Sequence, residues 1–273
     1  MNIHHVKTIA RTDLLQLAKA KDFIIPMAIL GTLFFVAIPA TLLFTITSIG
    51  EVGPIQQVSE ALDALPDRAV ENLRGDTPSG RTAYALSVYL FAPLAIIVPL
   101  MISSSVGAAS IVGEREKGTG EFLAHSPAGT TDIYLGKLIA SFIPGYVTTL
   151  VGFGIYSLIV NLIVGPEVGG WFFPTLDWLV LMLWVVPPFL VIALSVVVRI
   201  SARLRSTAAA HQAAGLVSLP TILVAYSQST GAMFGETGAT VLIGALAWLV
   251  GGVSIWRAVR SVRRSRLLSV AES

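Results

Sequence analysis

Long apolar stretches alternate with shorter polar ones along almost the whole chain. Six of the apolar stretches carry few charged residues and approach or exceed the length of about 20 residues that a helix needs to cross a bilayer. They cover residues 23–49, 84–112, 133–164, 176–198, 207–226 and 239–256. The pattern predicts an all-α, polytopic membrane protein with about six transmembrane helices.

The first 22 residues follow a different pattern. Apolar residues recur three or four positions apart, which places them on one face of a helix. They are Ile3, Val6, Ala10, Leu14, Leu17 and Ala18. Because basic residues interrupt them, no compact signal-peptide core forms, and we expect an amphipathic helix in the headgroup plane. A helix packed on soluble protein is the alternative. The predicted organisation is an interfacial helix at 1–22 followed by a transmembrane domain at 23–273.

The longer polar segments have distinct expected structures. Residues 51–83 form an outer loop with two short helices on either side of Pro66, serving as a spacer or as a cap that contacts substrate. Residues 113–131 form a cytoplasmic loop, and residues 257–273 form a basic tail. The stretch 133–164 exceeds one bilayer crossing, so this helix is expected to tilt, project or bend near Pro144.

The distribution of lysine and arginine predicts the orientation. Of the 18 such residues, all but Arg68, Arg74 and Arg81 fall on one side if the N-terminus is cytoplasmic. Inner loops of membrane proteins carry this excess of positive charge. Both termini and the loop 113–131 are therefore expected in the cytoplasm.

Composition supports a membrane protein and excludes several kinds of site. The chain is 54% hydrophobic and 12% charged, whereas soluble domains carry about 25% charged residues. It contains no cysteine, so disulfides and thiolate metal sites are excluded. Its arginines are not interleaved with aromatic residues as in surfaces that bind single-stranded nucleic acid, so no nucleic-acid partner is expected.

Several kinds of chemistry lack their sequence motifs. The chain has no G-x-x-x-x-G-K-[ST] phosphate-binding loop, no H-E-x-x-H and no G-x-S-x-G. Its four histidines do not have metal-ligand spacing. No acidic or basic residue lies well inside a predicted span, which disfavours a proton- or ion-coupled carrier. No catalytic, metal-binding or cofactor-binding residue is therefore expected.

The densest polar segment between apolar stretches is Gly113–Lys137, with the sequence GEREKGTGEFLAHSPAGTTDIYLGK. Charged residues follow the second span at once, and residues 121–124 are expected to form a short helical turn. Pro127 and Gly129 end that turn. Thr130 or Thr131 is expected to cap the next helix, with Asp132 in its first turn. A solvated loop is the simplest interpretation.

The order of residues in this segment resembles the cytoplasmic coupling loop of ABC-2 type transporter permeases. The family pattern is E-x-E-x-G-T, a short helix, S-P, and then an acid and L-G-K at the start of the next span. The matching residues are Glu114, Glu116, Gly118, Thr119, Pro127, Gly136 and Lys137. Gly120 departs from it, because a larger apolar residue usually stands there. The number of spans and the chain length extend the resemblance over nearly the whole chain.

The resemblance implies the membrane subunit of an ATP-driven exporter in a prokaryotic plasma membrane. Two such subunits, identical or related, would pair within the lipid. Each would meet a separate ABC ATPase subunit, present in two copies, which would bind the ATP and Mg²⁺ that this chain does not hold. The residues expected to contact or position the ATPase are Glu114, Glu116, Gly118, Thr119, Glu121, Phe122 and Pro127. An ATP-independent secondary transporter or channel, or a membrane enzyme, is the alternative.

Overall fold

The computed structural model describes residues 2–49, 73–116, 127–201, 209, 212 and 237–261, and these residues contain helices and turns but no strand. The α-helices are α1 (Ile3–Leu17), α2 (Lys21–Thr32), α3 (Ile38–Ile49), α4 (Pro78–Ala85), α5 (Leu94–Glu116), α6 (Thr130–Ile163), α7 (Leu176–Val180), α8 (Val186–Ser201) and α9 (Thr237–Ser261). The π-helical segments are π1 (Leu33–Ala37), π2 (Leu86–Leu90) and π3 (Leu181–Val185), and Gly165–Val168 is a 3₁₀ turn.

Five stretches of the described residues are long and apolar enough to cross a membrane. They are Lys21–Ser48, Pro78–Ser110, Thr130–Ile163, Leu176–Ser201 and Thr240–Arg260. The fold class, an all-α polytopic membrane protein, is confirmed. The predicted span at 207–226 lies outside the described residues except for Ala209 and Gln212, as do residues 51–72 and 262–273.

Three spans change from α- to π-helical geometry just before a proline. Ile38, Phe91 and Val186 each donate their backbone N–H to the carbonyl five residues earlier. Pro39, Pro93 and Pro187 follow within two residues. A proline lacks the N–H and its ring collides with the carbonyl four residues back, so the helix must loosen ahead of it. The prolines thus divide each of the first, second and fourth spans into two segments. We call the segment on the predicted cytoplasmic side inner and the other one outer.

Helix α6 is the central element, and its two faces have opposite character. It has 34 residues, about 50 Å at the rise of an α-helix, and it remains one helix through Pro144. Its exposed face is apolar, whereas its buried face includes small or polar residues. The exposed residues are Val147, Val151, Ile155, Leu158 and Leu162. The buried ones include Gly145, Thr149, Gly152 and Asn161. This is the expected arrangement in lipid, where small residues allow close packing and polar groups bond between helices.

Glycines on α5 and α6 let α5 pack closely against its neighbouring helices. A Cβ atom added at Gly145 of α6 would lie 2.6 Å from the carbonyl oxygen of Pro99, which leaves no room for a side chain. A Cβ at Gly107 would lie 3.1 Å from Leu194 of α8. These glycines therefore let α5 approach both α6 and α8 closely.

The outer end differs from the sequence-based expectation at two points. The second span begins at Pro78, so residues 78–83 are helical although the outer loop was predicted to extend to 83. Thr77 accepts a hydrogen bond from the Gly80 N–H and Pro78 occupies the first turn, a favourable helix start. Trp171 and Trp178 flank the start of the fourth span, a position typical of an interfacial aromatic belt, but Trp178 is 1% exposed. It stacks on Phe153 at a ring distance of 5.6 Å, because the outer half of the bundle is filled by aromatic side chains.

Candidate functional site

The segment with the predicted coupling residues lies between the inner ends of α5 and α6. Glu114 and Glu116 fall in the last turn of α5, which runs on past the predicted loop start at 113. Pro127 is exposed just before α6. The other predicted contact residues, Gly118, Thr119, Glu121 and Phe122, lie outside the described residues. The structure thus describes the two attachment points of the loop.

The first attachment point is the start of α6, where Asp132 joins the helix to the N-terminal segment. Its carboxylate accepts the Asn2 N–H at 2.9 Å and the Gly129 N–H at 3.3 Å. The Nδ1 atom of His5 lies 3.6 Å from the same carboxylate. Gly129, rather than the expected threonine, is the residue before the helix. An anionic group is favoured here because the helix N-terminus carries partial positive charge.

Lys137, five residues further along α6, connects this helix to α1 and to α5, whose end is the second attachment point. Its side chain is 1% exposed. The Nζ atom lies 3.4 Å from a carboxylate oxygen of Asp13 in α1, and it donates to the Ser110 carbonyl in α5 at 2.8 Å. A buried ammonium group needs such partners, because the loss of its hydration is otherwise costly. Lys137 therefore fixes the end of α5 relative to α1 and α6.

Gly136 lets α1 approach α6 closely. A Cβ atom at this position would lie 2.8 Å from the Ile9 side chain and 3.2 Å from the Val6 carbonyl. Val6 and Ala10, the buried residues of α1, lie on the same face. Gly136 and Lys137 of the L-G-K sequence thus have separate roles, since the glycine permits the contact and the lysine provides its ionic bond.

We call the six residues Asn2, His5, Asp13, Asp132, Gly136 and Lys137, together with the Ser110 carbonyl, the inner anchor. Sequence reasoning singled out Asp132, Gly136 and Lys137 but missed the partners in α1. Asp13 is the one acidic residue among the first 21, and it lies 124 positions before Lys137. Its isolation among basic residues was the available signal, but a solvated charge has the same sequence pattern.

A groove lies between α2 and α5. This groove has a volume of about 220 Å³ and a mostly apolar wall to which Phe23, Met27 and Met101 contribute. Asp22 and Ser105 are its polar residues. Within the described ranges, no three His, Asp or Glu side chains are arranged to hold a metal ion.

A bundle of membrane-spanning helices with a polar anchor beside one inter-span loop defines an integral, multi-pass membrane protein. The family model for ABC-2 family transporter proteins matches residues 7–244. The chain therefore belongs to the ABC-2 transporter family. It is a membrane transport subunit of the ABC class, and subunits of this family generally have an ABC ATPase as partner. A search of curated proteins finds no match to the chain.

Proposed function

We propose that this chain is the permease subunit of an exporter. The conformational change of the ATPase subunits is transmitted to its membrane helices through residues 113–131. Two permease subunits, identical or related, form the membrane pathway, and two ATPase subunits supply ATP and Mg²⁺ binding. The inner anchor is the observation that supports this proposal. It bonds the start of α6 to the N-terminal helix and, through Lys137, to the Ser110 carbonyl of α5, so a force on the loop moves α5 and α6 together.

The loop residues have complementary expected roles. Glu114, Glu116 and Glu121 form a polar rim, while Phe122 inserts as an apolar contact, the arrangement typical of protein interfaces. Gly118 and Thr119 let the chain turn away from α5, and Pro127 ends the contact segment before α6. The inner anchor supports these roles because a contact segment transmits movement only if its two ends are held.

The first experiment is to isolate the tagged chain from native membranes in mild detergents and identify what accompanies it. A stoichiometric ABC ATPase is the expected result. If the chain emerges alone and its reconstituted transport needs no nucleotide, an ATP-independent transporter replaces the proposal. Turnover of lipid or peptide by the isolated chain would instead indicate a membrane enzyme.

The contact itself is tested by Glu116→Lys, with Glu60→Lys in the predicted outer loop as the matched control. Charge reversal at the rim is expected to lower the amount of ATPase retained at least about tenfold, the effect of roughly 1.4 kcal/mol. Membrane insertion should be unchanged in both variants. Normal ATPase retention and coupled transport in Glu116→Lys would remove this residue from the proposed contact.

The orientation has a separate test that uses the absence of cysteine. A single cysteine at Ser59 should react with an impermeant reagent in intact cells, whereas one at Ser269 in the basic tail should react only after lysis. The opposite result would reverse the topology and place residues 113–131 outside, where no ATPase is available.

A further inference from the structure

The second span has two backbone carbonyls that its own turn does not bond. The Phe91 N–H donates to Leu86, and the Ala92 N–H donates to Tyr89. Pro93, the next residue, has no N–H to offer. The carbonyls of Ser87 and Val88 are therefore left for donors from elsewhere in the bundle.

Two buried aromatic side chains supply those donors. The Tyr156 hydroxyl of α6 donates to the Ser87 carbonyl at 2.6 Å. The Trp178 indole N–H of α7 donates to the Val88 carbonyl at 2.8 Å. Both side chains are 1% exposed. The outer segment of the second span is thus attached to both the third and the fourth spans.

The fourth span repeats the arrangement. The Val186 N–H donates to Leu181, and Pro187 again lacks the N–H that would follow. The Met182 carbonyl, five residues before this proline, instead accepts from the Tyr146 hydroxyl of α6 at 3.1 Å. Two tyrosines of one helix therefore bond carbonyls next to proline-induced π segments in two different spans.

Such bonds have a property that helix bonds lack. Because a bilayer offers no water to an unbonded backbone carbonyl, the carbonyl needs a donor from the protein in any long-lived state. A side-chain hydroxyl can move away without unwinding its own helix, and hydrogen bonds between membrane helices are individually weak. These contacts can therefore be exchanged for other partners at small cost, and sharp kinks in helices occur at prolines and π-bulges.

We propose that Tyr146, Tyr156 and Trp178 form a latch. The two tyrosines hold the outer segments α4–π2 and α7–π3 against α6, and Trp178 of α7 joins the two segments to each other. Release of the latch lets these segments swing about Pro93 and Pro187, which opens the end of the bundle remote from α1. The use of this motion in export rests on the proposed function. The latch itself is a property of the helix bundle and is measurable without a substrate.

The test measures one distance in the full chain with any co-purified ATPase, in lipid nanodiscs. Spin labels at Arg81→Cys in α4 and Leu162→Cys in α6 report the separation of the outer segments, since both positions are exposed. Tyr156→Phe removes one hydroxyl. It should raise the population of the longer distance roughly threefold, the factor expected for an average membrane hydrogen bond. Tyr146→Phe should do the same for a pair at Leu179→Cys and Leu162→Cys.

Two controls make the result specific. Tyr134→Phe alters a third buried tyrosine of α6, whose hydroxyl makes no hydrogen bond to either outer segment, and it should leave both distances unchanged. In a Pro93→Ala background, a backbone N–H becomes available to the second span, so the effect of Tyr156→Phe should shrink. If Tyr156→Phe does not fold, Tyr146→Phe with the labels at positions 179 and 162 tests the latch at the fourth span.

The outcomes separate the latch from the coupling proposal. Wild-type distances in both folded tyrosine variants would overturn the latch, as would an equal change in Tyr134→Phe. If the variants shift the distances but trapping the complex with ADP and vanadate does not, the latch stands and the ATPase coupling fails. If trapping also shifts them, both proposals are supported.

Discussion

The two ends of α6 are joined to their neighbours by different chemistry. At the inner end, Lys137 and Asp132 use charged groups to bind α1 and the end of α5. At the middle and in the outer half, Tyr146 and Tyr156 use neutral hydroxyl donors to backbone carbonyls. Charge-assisted bonds are roughly twice as strong as neutral ones. The difference indicates that the inner anchor, or inner joint, keeps its geometry under force. The bonds of the latch, or outer joint, are more easily exchanged.

Among the changes that test this contrast, loss of the Lys137 charge should lower the free energy of unfolding most. Lys137→Met leaves the Asp13 carboxylate, 14% exposed, without its cation, and breaking one partner of a buried pair costs about 3–5 kcal/mol. We expect a matching fall in the free energy of unfolding, measured by denaturant titration in detergent. The double variant Asp13→Asn with Lys137→Met should recover part of the loss. No recovery would mean that Lys137 acts without Asp13.

Crowding the inner joint should have the next largest effect. Gly136→Ala places a methyl group against Ile9 and the Val6 carbonyl, and overpacking costs about 1–3 kcal/mol. The matched control is Gly154→Ala in the same helix, where nothing lies within 4 Å of the added atom. The control should be neutral or slightly stabilising. Equal thermal unfolding temperatures for the two variants would contradict the close packing of α1.

The outer end offers a comparable polar residue in Asn161. Its side-chain oxygen accepts the N–H groups of Phe172 and Phe173 at 2.9 and 3.0 Å, and its amide nitrogen donates to Phe173 and Ser157. Asn161→Ala leaves buried groups unbonded and should cost about 1–3 kcal/mol of the free energy of unfolding. Ser157→Ala, which removes one hydroxyl, should cost less. A larger loss for Ser157→Ala than for Asn161→Ala would mean that Ser157 holds the Phe172–Phe173 segment in place.

Removal of a single neutral donor should have the smallest effect. Trp178→Phe keeps an aromatic ring against Phe153 but loses the bond to the Val88 carbonyl. Because this change also leaves a cavity, the single hydrogen bond is isolated by Tyr156→Phe, which removes only the hydroxyl that donates to the Ser87 carbonyl. For Tyr156→Phe we expect a loss of about 0.6 kcal/mol, and at most roughly 1.7 kcal/mol. Denaturant titration beside Lys137→Met checks the contrast. A loss as large as that of the lysine variant would show that the outer joint is no weaker than the inner one.

The hydrophobic pattern was sufficient for the class of fold, because spanning a bilayer requires long apolar helices whatever their partners. It did not define the start of the second span, since the capping residues Thr77 and Pro78 lie in a polar stretch. The L-G-K element marked two residues of the inner anchor. Its partners in α1 depend on tertiary contacts over more than a hundred residues, which periodicity does not encode. Likewise, prolines were visible inside the spans, but the tyrosines that bond the freed carbonyls were not.

The bond between Lys137 and Asp13 also constrains the order in which the protein is made. The two residues are 124 positions apart, so α1 leaves the ribosome well before its ionic partner exists. During that interval α1 is without the helix that covers Val6 and Ala10, and its basic face and apolar stripe are suited to the membrane surface. The inner anchor therefore closes only after Lys137, near the start of the third span, has been synthesised, so α1 lacks its covering helix while the first two spans are made.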